Sequence, residues 1–191
     1  MVGGPLGVSI QFCGRTERAQ IPEHLQAKLK EILTCKVICN TFKDQIAAAT
    51  EDDLFRVSIY GEGYGVKIQK GGNYIKDDVG FILFDVKVGK WWLNRESCEK
   101  IAAELGVPIV PLVGYMTIPQ AIEYVKTGFK SIIAENKNYD AEGLVLKTSN
   151  GLLFRNGERI ITKIKTCDFQ KYKAKYGDGP VEQKVNSNYK K

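Results

Sequence analysis

Apolar residues recur along this chain with two periods, about two and about three and a half, and the switches between them outline its elements. Residues 8–12 alternate as a strand does, and Cys13-Gly14-Arg15-Thr16 then turns the chain. Residues 22–33 take helical spacing, with Leu25, Leu29, Ile32 and Leu33 on one face, and a shorter helix is predicted over 43–49. Residues 55–60 are rich in β-branched and aromatic side chains, which predicts a strand ending at the glycines of Gly61-Glu62-Gly63-Tyr64-Gly65. Residues 80–89 and 90–93 read as the arms of a hairpin.

Two more helices are marked by their ends. Asn94 caps the first, Cys98, Ile101, Ala102 and Leu105 form its inner stripe, and Gly106 stops it. Thr117 with Gln120 makes a capping box for the second, Pro119 sits in its first turn, and Gly128 ends it. Only strands follow: 143–147, 152–155 beyond the turn at Asn150-Gly151, and 159–165 beyond the turn at Asn156-Gly157. Strands and helices in no regular alternation predict an α+β domain with mainly antiparallel sheets over residues 1–170.

Composition narrows the class. With 191 residues, 43% hydrophobic and 26% charged, the chain suits one globular domain able to bury its own core. No apolar run reaches membrane-spanning length, and the first residues lack the basic start and apolar core of a signal peptide. A soluble, cytoplasmic protein without a membrane partner is expected. Five scattered cysteines with no CxxC pair argue for reduced thiols rather than a disulfide framework. Cys35 and Cys39 could share a helical face, but zinc would need two more soft ligands, and His24 is the only histidine. The same lone histidine argues against Ser-His-Asp or Cys-His catalysis. The net charge is +6, and residues 170–191 hold six lysines against two acids. That tail reads either as a contact for a polyanion or as a solvated, flexible end.

Several segments could carry chemistry. Tyr60-Gly61-Glu62-Gly63-Tyr64-Gly65 has the look of a dinucleotide loop, but no helix with a suitable acid follows, and GxxxxGK[ST] is absent. Glu62 at a glycine-lined strand end could reach a ribose; the alternative is an ordinary turn with an exposed acid. Asp85 lies in the otherwise apolar stretch 81–88, where an acid is costly unless paired or placed at a site. Phe84 beside it could stack on a purine. The plainer reading is a core phenylalanine and an acid capping a loop. Trp91-Trp92 is expected to supply one core and one surface ring, with base stacking as a further possibility. Arg15, in a glycine-flanked turn, could meet a phosphate or ribose, or be a surface charge. Glu142-Gly143-Leu144-Val145-Leu146-Lys147 puts a carboxylate at a strand start, and Ile161-Thr162-Lys163-Ile164-Lys165 puts two lysines on one strand face. An acid for a cation and lysines for phosphates suit a nucleotide triphosphate with its metal.

Taken in order, Arg15, Tyr60-Gly61-Glu62, Phe84-Asp85, Glu142-Gly143 and Lys163-Ile164-Lys165 resemble the successive motifs of the covalent nucleotidyltransferases. The likeness is greatest to the ATP-dependent RNA ligases of phages and the kinetoplastid RNA-editing ligases, and Cys13-Gly14-Arg15-Thr16 through Pro22 is similar to their first arginine stretch. The resemblance implies a ligase adenylylation-domain fold, ATP with an AMP intermediate, Mg2+, and RNA with 5′-phosphate and 3′-hydroxyl ends. It implies that Glu62 binds the ribose and Phe84 stacks on adenine. Glu142 would serve the metal, Lys163 and Lys165 the phosphates, and Arg15 the nucleotide or the RNA end. DNA ligases and capping enzymes share the motif order, so a DNA substrate is a further possibility.

One family element has no counterpart. None of the glycines has a lysine three places before it, so no KxxG motif carries a nucleophilic lysine, and no lysine precedes Arg15. The expectation is a domain lacking its N-terminal edge and unable to adenylylate itself, with a partner or an upstream segment supplying the lysine. The alternative is a non-catalytic module that binds ATP or an RNA end.

Overall fold

The computed structural model describes residues 2–3, 8–16, 18–48, 56–68 and 74–169. The predicted tail lies outside the described residues, as does position 55, where a strand was expected to begin. In chain order the elements are β1 (Val2–Gly3), β2 (Ser9–Ile10), α1 (Glu23–Ile32), α2 (Cys35–Thr41), α3 (Lys43–Ala48), β3 (Val57–Gly65) and β4 (Val79–Val88). They continue with β5 (Trp91–Trp92), α4 (Arg95–Leu105), α5 (Ile118–Thr127), β6 (Gly143–Lys147) and β7 (Ile161–Lys165). All strand pairs are antiparallel: β1 with β2, β3-β4-β5 as a central sheet, and β6 with β7 as a second sheet. This is the mixed, mainly antiparallel architecture expected from strands and helices in no regular alternation.

One face of the central sheet is covered by helices. Leu25 and Leu29 of α1, Phe42 between α2 and α3, and Cys98, Ala102 and Leu105 of α4 close over Phe81, Leu83 and Val86 of β4. Phe42 is 1% exposed, and burying a side chain of that size contributes roughly 2–3 kcal/mol. The second sheet packs against α5, whose Ala121 and Val125 are fully buried. Both marked helices begin where their caps predict. Asn94 accepts from the Ser97 amide at 2.9 Å, and the Thr117–Gln120 box is closed in both directions. His24 is exposed on α1, its ring 3.2 Å from the Val66 carbonyl oxygen. The cysteines resolved as elements of the core or surface are all free thiols.

Three expectations need correction. α2 was not predicted; Thr34 starts it by accepting from the Val37 amide, and its β-branched residues hide the helical pattern. β3 does not end at Tyr60 but runs through the glycines to Gly65. The ladder needs glycine there: a Cβ on Gly61 would overlap the Phe81 ring, and one on Gly63 would overlap Leu25 of α1. The turn reading of this segment therefore falls. The expected hairpin is present: β4 turns at Gly89-Lys90 into β5, with Lys87 opposite Trp92 and Val88 opposite Trp91, and β4 also pairs along its whole length with β3. Finally, 152–155 is no strand. A single bridge, Leu153 to Arg159, closes a tight loop, and Leu152, Leu153 and Phe154 stay about half exposed with no sheet face to pack on.

An irregularity in β4 sets which residues leave the core. Tyr60 pairs with Asp85 and Gly61 with Leu83, so Phe84 is an extra residue with no partner on β3. Such a bulge reverses the alternation of the strand beyond it. Phe81 and Leu83 face the helices before it and Val86 does so after it, which turns Asp85 and Lys87 to the opposite face. Strict alternation would have carried Asp85 into the core beside Leu83.

Candidate functional site

The helix-free face of the central sheet meets the second sheet. Residues paired across antiparallel strands share a face. The pairs Gly143–Lys165, Val145–Lys163 and Lys147–Ile161 therefore put Lys147, Lys163 and Lys165 on one side of β6–β7. That side is turned to Asp85. Lys147 Nζ donates to both Asp85 carboxylate oxygens at 2.8 Å and to the Phe84 carbonyl oxygen at 3.3 Å. Arg159, just ahead of β7, brings a guanidinium nitrogen to 2.7 Å from Asp85 Oδ2.

Asp85 is 7% exposed, and a carboxylate so placed is tolerable only because two cations and their hydrogen bonds surround it. The loop-capping reading of Asp85 is thus overturned: it is a clasp between the two sheets. Trp92, opposite Lys87 on β5, extends the same wall. The Arg159 guanidinium carbon lies 3.5 Å from its ring centroid and the Tyr60 ring 4.9 Å away. Of the two tryptophans, Trp91 is 78% exposed, as expected of the surface ring, whereas Trp92 is only partly buried and lies opposite Lys87 on the helix-free face rather than in the core.

The carboxylates gather at the other end. Glu62 pairs with Ile82, which puts it on the helix-free face, and it is exposed. Glu142 directly precedes β6, where its carbonyl accepts from the Thr166 amide at 2.9 Å. Tyr74 stands in reach of both. Burial first, then the charge of Glu142, then Tyr139 and Glu62, push its hydroxyl up to about 12. Edge-on ring contacts to Tyr139 at 5.2 Å and to Tyr64 at 6.2 Å tie the Glu62 strand to the approach of the Glu142 strand. Because the free phenol ionises near 10, raising the pH from 10 towards 12 ionises the unfolded chain before the folded one and removes stability. Tyr74→Phe is expected to flatten that loss, read as melting temperature against pH between 9 and 12.

Of the expected site residues, Glu62 lies on the helix-free face of β3–β4, Phe84 at the bulge, Glu142 at the start of β6, and Lys163 and Lys165 on the β6–β7 face that carries Lys147. Arg15 is placed in an exposed turn after β2, outside the ion-pair network. Sequence reasoning missed Arg159 and Tyr74, offered Trp92 only as a possible base stacker, and gave Lys147 no role of its own. Alternation from Gly143 could have put Lys147 on the lysine face; nothing local marks the others. Among the described residues no group of three or more His, Cys, Asp or Glu side chains could cage a metal. A lone exposed carboxylate such as Glu142 fits magnesium, which is commonly held by one or two carboxylates together with substrate phosphates. No helix among the described residues is long and apolar enough to cross a membrane.

Antiparallel sheets flanked by helices, clasped by Lys147 and Arg159 on Asp85, make a mixed α/β domain of nucleotidyltransferase-like type. The RNA ligase family model matches residues 5–165, and the chain belongs to that family. Among solved structures, a Naegleria gruberi RNA ligase with PPi matches at a TM-score of 0.52 and 18% identity, which is a likeness of fold. The match covers 84% of this chain and 43% of that one, so this chain spans less than half of that ligase. No curated protein matches the chain.

Proposed function

We propose that the chain is the adenylylation-type domain of an ATP-dependent RNA ligase, acting on 5′-phosphate and 3′-hydroxyl RNA ends. The observation that carries this reading is the lysine face of β6–β7 held against the Glu62–Asp85 face by the Lys147–Asp85 contact. In it Glu62 takes the ribose, Phe84 the adenine ring, Lys163 and Lys165 the phosphates, and Arg15 the nucleotide or the RNA end. Glu142 holds Mg2+, which would supply charge neutralisation at phosphorus. Phe84 suits its role because the bulge frees it from the regular alternation of the ladder. The motif order favours the phage and kinetoplastid group of these ligases.

Forming a lysyl-adenylate needs an amine to attack the α-phosphorus of ATP as pyrophosphate leaves. With no KxxG in the sequence, this chain alone is not expected to do so. Sealing needs no such amine: the 3′-hydroxyl attacks the 5′-phosphorus of a pre-adenylylated RNA, loses its proton, and AMP departs. Incubation with pre-adenylylated RNA and Mg2+ is therefore expected to give sealed product, while radiolabelled ATP leaves no label on the protein. Glu142→Ala should reduce sealing by about 100-fold, the scale of removing one electrostatic stabiliser. Equal sealing by parent and variant would sink the catalytic reading.

The missing KxxG favours one other reading, a module that binds ATP or an RNA end without chemistry. Its signature is RNA binding that weakens steeply with salt and is accompanied by no ligation.

A further inference from the structure

The aromatic wall of the cleft takes no part in the roles given above. Trp92 carries two cations on its ring: Arg159 at 3.5 Å and the Lys87 ammonium at 5.3 Å from the centroid. Tyr60 leans on the same ring, tilted by 42°, and remains 37% exposed. Lys147 stands next in line and joins Arg159 on the buried acid Asp85. The wall is positively charged, and it keeps an aromatic face open beside the charge.

That pairing of features selects a ligand. A guanidinium has five N–H donors in a planar fork, and Asp85 occupies one corner of the Arg159 fork, so a phosphate can bind along another edge. An aromatic ring holds a cation in place without supplying a counter-charge, as Trp92 does for Lys87. A single strand offers what such a wall can grip, an unstacked base for the ring and a phosphate one nucleotide away for the cations. In a duplex the bases are already stacked on each other.

We propose that Tyr60, Trp92, Lys87 and Arg159 form a shelf that receives single-stranded RNA at the side of the cleft, one base on Tyr60 and the neighbouring phosphates on Arg159 and Lys87. The inference rests on the RNA ligase reading and assigns the part of that site which holds the strand rather than the nucleotide.

The test is fluorescence anisotropy of the whole chain with a labelled, 5′-phosphorylated single-stranded RNA, with ATP binding measured calorimetrically on the same preparations. Lys87→Glu should weaken RNA binding about tenfold near 0.1 M salt and reduce the slope of log affinity against log salt by about one. Tyr60→Ala should weaken it about five- to tenfold, and Tyr60→Phe should keep it, since stacking needs the ring alone. If Lys87→Glu and Tyr60→Ala both bind RNA within about twofold of the parent, the shelf is overturned while retained ATP binding leaves the ligase reading standing. A parent that prefers duplex to single strand also overturns the shelf. A parent that binds neither ATP nor RNA removes both.

Discussion

Asp85→Asn is expected to lower the melting temperature by about 5–10 °C, the shift that a loss of about 2–3 kcal/mol produces in a domain of this size. The substitution keeps the shape and removes the charge. Lys147 and Arg159, which converge on this carboxylate at 2.8 and 2.7 Å, would then repel each other across a neutral amide. Breaking a fully buried pair costs more, but these cations have side chains 36% and 22% exposed and recover some hydration. The loss should be concentrated between the sheets. Amide exchange is expected to quicken in β6 and β7 while the Phe81–Leu83 ladder beneath the helices stays protected. Uniform quickening, or an unchanged melt, would mean that Asp85 does not join the layers.

Gly143→Ala should do at least as much damage through sterics alone. Gly143 has φ +148°, and a Cβ there would overlap the Ile164 carbonyl oxygen and stand 2.8 Å from Lys165 Cα. Backbone on a paired strand cannot swing aside, so strain and overlap together cost about 3–4 kcal/mol. The displaced groups are Glu142 on one side and Lys165 on the other, so nucleotide affinity should fall together with stability. Gly151→Ala is the matched control. Its φ is +66°, but nothing lies within 4 Å of the added carbon, so only the left-handed backbone penalty of about 1 kcal/mol applies. Similar melting temperatures for the two variants would refute the crowding argument.

What the chain discloses by itself follows from how local each signal is. Asn94 and Thr117 announce their helices because a cap and its acceptor amide are three residues apart. The facing of Lys163 and Lys165 follows from alternation in a short regular strand. Glu62, Phe84, Glu142 and both lysines could be proposed from sequence because each sits in a recognisable local neighbourhood. The bulge leaves no such mark: an extra residue in an apolar strand is still an apolar residue, and only the partner strand reveals that Phe84 is unpaired. Gly61 and Gly63 read as a turn for the same reason, since the need for them lies in Phe81 and Leu25. Arg159 looks like any loop arginine, and its partners are separated from it by most of the second half of the chain.

That separation bears on the order in which the molecule can be built. Lys147 lies 62 residues beyond Asp85, so a chain emerging from its N-terminus completes the helix-covered sheet before either cation exists. Asp85 faces away from that first core, so its carboxylate stays hydrated while the early layer forms, and the layer needs no counter-ion to assemble. The desolvation penalty is deferred to the closing of β6 and β7, a long-range step that is slow by topology. Ligands that bring charge into the gap act at that same late stage. Refolding rates should therefore respond to Asp85 far less than unfolding rates do.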